Sequence, residues 1–168
     1  MPIVLARIDE RLIHGQIMCS PALVSLGVNR LIIVDPLIRD NPIMQCVYDG
    51  STQTGDCQIE EVAYLDSHGL GAFLAGHDGP KARYLVIFRD LGQALGAARE
   101  GISLPPLNLG IYTSKDPRKR ALTSGFSVGP SESEALNELH KILGALYFDG
   151  LGTDASPYSP SEHSWRPS

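Results

Sequence analysis

A chain of 168 residues, 43% hydrophobic and 20% charged, has the length of one domain and the composition of a globular protein, neither disordered nor membrane-embedded. A net charge of -5 argues against a general nucleic-acid binder, whose surface must concentrate positive charge against phosphates. Cys19, Cys46 and Cys57 show no Cys-x-x-Cys spacing and suit a reducing compartment, and no apolar stretch approaches the roughly 18 residues of a membrane span, so the chain reads as cytoplasmic.

The first apolar run covers residues 3–8 and is predicted to be a buried strand. Directly behind it, residues 9–16 read Asp-Glu-Arg-Leu-Ile-His-Gly-Gln, which places a histidine where that strand surfaces. A helix is then predicted over 16–26, closed by Gly27, followed by a strand over 31–34 and a helix over 37–48 that ends near Gly50. A short strand over 57–59 and a helix over 60–74 come next. The turn residues His77, Asp78, Gly79 and Pro80 lead to a strand over 84–88, a helix over 91–99 that stops before Gly101, and a strand over 107–111. A helix over 131–143, ending at Gly144, and a strand over 145–148 complete the pattern. Continuous apolar runs alternating with helical segments predict an α/β fold: one domain over 1–150, built on a mainly parallel, doubly wound sheet with helices on both faces. Residues 151–168, rich in Gly, Ser and Pro, are expected to form a loosely held tail, whose single Trp165 is still able to dock.

In such folds ligands gather at the carboxyl edge of the sheet, so His14 is the first candidate for chemistry. Arg11 stands three residues before it, and a guanidinium is suited to bidentate capture of a phosphoryl group. Gly15 lets backbone approach a ligand closely, and Gln16 begins a helix whose first N–H groups favour an anion. A neutral imidazole is a competent nucleophile toward phosphorus, which makes a phosphohistidine chemically reasonable. Asp9 and Glu10 would repel a phosphate they faced; their expected duties are to orient Arg11 or Arg7 or to cap the turn, and of the two only Asp9 joins the candidate site. No cofactor is needed, and the histidines and cysteines lack the spacing of a metal site.

The segment Arg-Ile-Asp-Glu-Arg-Leu-Ile-His-Gly-Gln resembles the active-site loop of the IIB components of the mannose, fructose and sorbose family of the bacterial sugar phosphotransferase system (PTS). Residues 27–35, Gly-Val-Asn-Arg-Leu-Ile-Ile-Val-Asp, resemble the family's second strand, and Asn108-Leu109-Gly110 its Asn-x-Gly-Gly stretch; the likeness spans roughly residues 2–150. The resemblance implies a parallel-sheet α/β domain whose motif histidine, here His14, accepts a phosphoryl group from a phosphohistidine on a IIA partner. It also implies onward transfer to a sugar at the IIC and IID membrane components, with the protein peripheral to the inner membrane when bound to them. It implies Nδ1 as the acceptor nitrogen. Sugar specificity is expected to reside in the membrane components, and an exposed strand edge could pair two copies into a homodimer.

Three positions depart from the family: Pro21 in place of an aromatic, Pro36 where a second acidic residue commonly follows Asp35, and Ile111 in place of the second glycine. Pro21 either kinks the first helix or starts it late, with Ser20 as N-cap and Pro21 at the first helical position. These departures motivate a second reading, a regulatory paralogue whose His14 phosphorylation controls a protein partner without sugar transport. A third is an anion-binding module that never forms the covalent bond. The basic run Lys115, Arg118, Lys119 and Arg120 reads as a solvated loop, or else as a patch that steers an acidic IIA partner. Gly69, Gly71 and Gly76 are spaced wrongly for a dinucleotide loop, and Asp66-Ser67-His68 is chance composition rather than a hydrolase triad.

Overall fold

The computed structural model describes residues 3–53, 58–77, 79–148 and 155–163. In chain order its elements are β1 (Ile3–Ile8), α1 (Gly15–Met18), α2 (Pro21–Ser25), β2 (Arg30–Val34), α3 (Pro36–Arg39), α4 (Pro42–Thr52), β3 (Glu61–Leu65), α5 (Ser67–Gly76), β4 (Tyr84–Phe88) and α6 (Leu91–Arg99). After them come β5 (Leu107–Leu109), β6 (Tyr112–Thr113), β7 (Arg120–Ala121), β8 (Phe126–Val128), α7 (Pro130–Leu143), β9 (Leu146–Phe148), β10 (Ser156–Pro157) and α8 (Pro160–His163). Seven strands form one sheet in the order β10-β9-β5-β1-β4-β2-β3, parallel except for β10, and β6-β8-β7 form a small second sheet. The predicted α/β class, with a mainly parallel sheet and helices on both faces, is what is found.

Alternate residues of the central strands feed two separate cores, as the period of two in an extended chain requires. Ile32 and Val34 of β2 and Val86 and Phe88 of β4 pack with Leu70 of α5, Leu91 and Leu95 of α6 and Leu136 and Leu139 of α7. Leu31, Ile33, Leu85 and Ile87 pack on the opposite face with Ile17, Met18, Leu23 and Ile38 of the first three helices. The chain leaves β1 toward β2, and β1 itself lies between β4 and β5, so the sheet's order diverges there. In open α/β sheets, ligands bind outside the carboxyl ends of strands at such a divergence.

The strand predicted over 57–59 and the helix predicted over 60–74 are corrected. Residue 57 lies outside the described residues, the strand is Glu61–Leu65, and the helix begins only at Ser67, capped by Asp66, whose side chain accepts from Gly69 N at 2.7 Å. As the sheet's edge strand, β3 is half-buried throughout and can carry Glu61, so it lacks the unbroken apolar run of a central strand. The helices predicted over 16–26 and 37–48 are each two short helices. Pro21 and Pro42 cannot donate to a preceding turn, and each instead starts a new helix behind Ser20 or Asn41 as cap. The strand predicted to reach residue 111 stops at Leu109, and the small sheet follows.

The tail is also firmer than expected where it is described. β10 pairs antiparallel with β9, and Tyr158 is buried beside Phe148 while its hydroxyl donates to Asn137 Oδ1 at 2.7 Å. Trp165 lies outside the described residues.

Candidate functional site

The site is built where β1 ends. Asp9 N donates to Phe88 O at 3.0 Å, which carries the parallel pairing one residue past the strand, and Leu12 N donates back to Asp9 O at 3.0 Å to close a turn. Leu12 adopts φ +53, the left-handed region that disfavours a side chain by roughly 1–2 kcal/mol. Its complete burial in the core on that face holds it there. Local strain of this kind is retained where the surrounding packing over-determines a loop. His14 follows Ile13, and its carbonyl accepts from Ile17 N at 2.9 Å and Met18 N at 3.2 Å, so the residue stands at the start of α1.

Asp9 is the hub. Its carboxylate is fully buried and accepts from Arg7 through Nε at 3.2 Å and Nη2 at 3.0 Å. From Arg11 it accepts through the backbone N at 3.1 Å, Nε at 3.2 Å and Nη2 at 3.4 Å. Burial alone would raise its pKa, but the hydrogen bonds of Arg11 and the charge and hydrogen bonds of Arg7 outweigh it and hold the group below 3.8. Arg7, 2% exposed, is fixed from its other side by a hydrogen bond to Asn108 Oδ1 on β5. Gly110 completes this wall, because a Cβ there would land on the Arg7 guanidinium. Asn108 and Gly110 therefore have one physical role between them, to house Arg7.

His14 reaches the same carboxylate from the solvent side. Its side chain is 20% exposed, and its Nε2 is buried 3.7 Å from Asp9 Oδ2 with no hydrogen-bond partner among the described residues. Burial first, and the charge of Arg11 second, keep its pKa below 6.5 against the opposing pull of Asp9. Both causes favour the neutral ring. Two guanidinium charges against one carboxylate leave the cluster a net single positive charge, favourable for an incoming phosphoryl group. Arg11, at 37% exposed, is the more accessible of the two cations.

Of the residues picked out from the sequence, Asp9, Arg11 and His14 are brought together. Asp9's contacts are those of the orienting duty, since both oxygens are turned to arginines. Gly15 and Gln16 form the first turn of α1, where backbone N–H groups have no intrahelical acceptor. Glu10 turns away from this cluster; its N donates to Ile111 O at 2.8 Å and its Oε2 accepts from Thr113 N at 3.1 Å. Lys115, Arg118, Lys119 and Arg120 are exposed between β6 and the start of β7, with Arg118 paired to Asp116 at 2.9 Å. Arg7 was legible only as a possible partner of the acidic residues, although a charge inside a buried apolar run was itself the signal. Among the described residues no group of three or more His, Cys, Asp or Glu could hold a metal, and no helix is long and apolar enough to cross a membrane.

Comparison with known proteins gives one consistent result. The family model described as the PTS system sorbose subfamily IIB component matches residues 3–156. A sorbose-specific EIIB component of Klebsiella pneumoniae is 27% identical over 159 residues, 93% of this chain and 92% of that protein. Its counterpart in Lacticaseibacillus casei is 26% identical over the same shares. Among solved structures, the IIBSor domain of the Klebsiella pneumoniae sorbose permease superposes with a TM-score of 0.73 at 27% identity, covering 93% of each chain. An Escherichia coli N-acetylgalactosamine-specific IIB component shares the fold with a TM-score of 0.78 at 21% identity, covering 94% of this chain and 98% of that one.

Proposed function

Because the chain belongs to the sorbose subfamily of PTS IIB components, transferases of sugar transport, we propose that it is a phosphohistidine carrier with His14 as the residue that holds the phosphoryl group. The supporting observation is the Asp9 hub, which turns Arg11 and His14 toward one carboxylate while burying His14 Nε2. With Nε2 carrying the proton toward Asp9, the lone pair is on Nδ1, and Nδ1 is the nucleophile. It attacks the phosphorus of a phosphohistidine on a IIA partner; the new N–P bond forms as the donor's N–P bond breaks, and the donor imidazole leaves with that electron pair. Both ring nitrogens of His14 are then substituted, the ring turns cationic, and Asp9 stabilises it. Arg11 neutralises charge spread over the phosphoryl oxygens, and the amides of Gly15 and Gln16 supply further donors. In a second, separate transfer a sugar hydroxyl at IIC and IID, to which this protein binds from the cytoplasmic side, attacks the phosphorus; the His14 N–P bond breaks with its electron pair returning to Nδ1, and the hydroxyl proton is released to solvent. Sorbose is the first sugar to test, since two relatives are specific for it.

The departures that motivate a regulatory reading have local explanations. Pro21 and Pro36 each start a helix behind a capping Ser20 or Asp35, and Ile111 carries the chain into β6 while its carbonyl accepts from Glu10. They carry no argument against transfer. Incubation with phosphorylated IIA, followed by intact-mass measurement under denaturing conditions, tests the acceptor: one phosphoryl adduct on the native chain and none on His14→Gln is expected. An adduct on the variant overturns the assignment. Addition of IIC and IID membranes with labelled sorbose then tests the onward step, and discharge of the adduct without sugar phosphate would leave this protein a switch.

A further inference from the structure

A concavity lined by both polar and apolar groups lies at the carboxyl edge of the sheet, outside the Asp9 cluster. It is a cleft of about 510 Å³ between the starts of α6 and α7 and the small sheet, lined among others by Glu10, Arg89, Asp90, Tyr112, Lys115 and Glu132. That volume is in the range of small-molecule sites. Its charges are mixed, and the hydrogen bonds show which of them are committed. Glu132 is fully engaged, accepting from Gly129 N at 2.6 Å, the Tyr112 hydroxyl at 3.0 Å and Ser114 Oγ at 2.5 Å. Asp90 uses Oδ1 to cap Gln93 N at 2.9 Å, and Glu10 uses Oε2 on Thr113 N; the second oxygen of each has no partner among the described residues.

The cations are less committed still. Arg89 spends Nη1 on Asp35 at 2.9 Å and remains 42% exposed, with Nε and Nη2 unpaired among the described residues. Lys115 is exposed and has neither an ion pair nor a hydrogen bond among them. An inorganic cation would be opposed by Arg89 and Lys115. A bare anion would leave the spare oxygens of Asp90 and Glu10 facing it, and a neutral sugar would leave Lys115 without an ion pair and the remaining donors of Arg89 unused. A ligand that carries both a dianion and several hydroxyl donors satisfies all four groups.

We propose that this cleft is a binding site for a phosphorylated sugar, its phosphate held between Arg89 and Lys115 and its hydroxyls donating to Asp90 and Glu10. This goes beyond the phosphocarrier reading and does not depend on it, because the binding is non-covalent and uses neither Arg11 nor His14. Glu10 nevertheless adjoins Asp9 in the chain, so an occupant sits one residue from the hub. The test is calorimetric titration of the full, unphosphorylated chain with glucose 6-phosphate, glucose and inorganic phosphate as separate probes. Arg89 is a poor choice for mutation, since its loss would strand the buried Asp35, whereas Lys115 is exposed and structurally uncommitted. Glucose 6-phosphate is expected to bind more tightly than either other probe, with a loss of roughly tenfold or more in Lys115→Glu and no change in Arg11→Gln. Absence of binding below about 10 mM overturns the proposal. So does equal affinity for inorganic phosphate, or a loss in Arg11→Gln with none in Lys115→Glu, which would locate the ligand on the β1 loop. In each of these cases His14 phosphorylation could still proceed, so the two proposals fail separately.

Discussion

Two aspartates follow the two strands that flank β4 in the sheet, both buried, and they are used differently. Asp35, after β2, caps α3 by accepting from Leu37 N at 2.9 Å and pairs with Arg89, which is 42% exposed. Asp9, after β1, caps no helix; its oxygens are taken by two arginines, one of them fully enclosed, and a histidine stands 3.7 Å away. The first arrangement ends a strand and starts a helix. The second spends its hydrogen bonds mainly on the side chains of Arg7 and Arg11, and α1 begins only at Gly15, after a turn that holds Leu12 at φ +53. A buried carboxylate is common to both; what separates them is that Asp35 caps a helix and meets one arginine, whereas Asp9 caps none and gathers two arginine side chains beside a histidine.

The largest expected effect that sharpens this contrast is on chemistry. His14→Gln should abolish phosphoryl capture while leaving the denaturation midpoint near that of the native chain, whereas Asp35→Asn should still be labelled. Next is stability. Asp9→Asn leaves the enclosed Arg7 without its counter-charge and should cost about 3–5 kcal/mol in urea unfolding, against about 1–2 kcal/mol for Asp35→Asn, where water can reach the released Arg89. Equal losses would break the distinction. Gly110→Ala pushes a methyl onto a guanidinium that Asp9 and Asn108 hold still, and should cost about 1–3 kcal/mol; the same change at Gly50, whose added Cβ would meet nothing within 4 Å, should be close to neutral.

The smallest effect is in pH. His14 has its pKa lowered by burial, so the unfolded chain binds the proton more readily in the window between the folded value and 6.5. Stability therefore falls as pH drops through that window and levels off below it, and His14→Gln should remove that slope. Labelling by IIA should persist below pH 6.5 and decline only as the ring itself protonates. Asp9 works in the opposite range: its pKa is depressed, its stabilisation is present above 3.8, and it is lost as pH falls through the lower folded value.

Much of this was legible one residue at a time. The central strands β1, β2 and β4 stand out because buried parallel strands require unbroken apolar runs, and the polar segment after β1 had to surface at the carboxyl edge. Ser20 and Pro21 allowed either a kinked helix or a late start, and α2 has the late start. The edge strand β3 was read as helix because half-burial allows the charges and small residues that a helix also carries. The two-residue strands of the small sheet are too short to show any period.

What the sequence by itself determined is therefore the architecture and the cluster taken as the candidate site: periodicity follows from burial on one or two faces, and Asp9, Arg11, His14 and Gly15 are close enough in the chain to be found together. Only the tertiary structure decided how Asp9 is employed, because Arg7 is locked by Asn108, 101 positions away in the chain, and by the absence of a side chain at Gly110. The same holds for the cleft, whose lining comes from four separate stretches between Glu10 and Ala135. Contacts between distant segments depend on how elements pack, and packing leaves no local pattern from which those partners could be read.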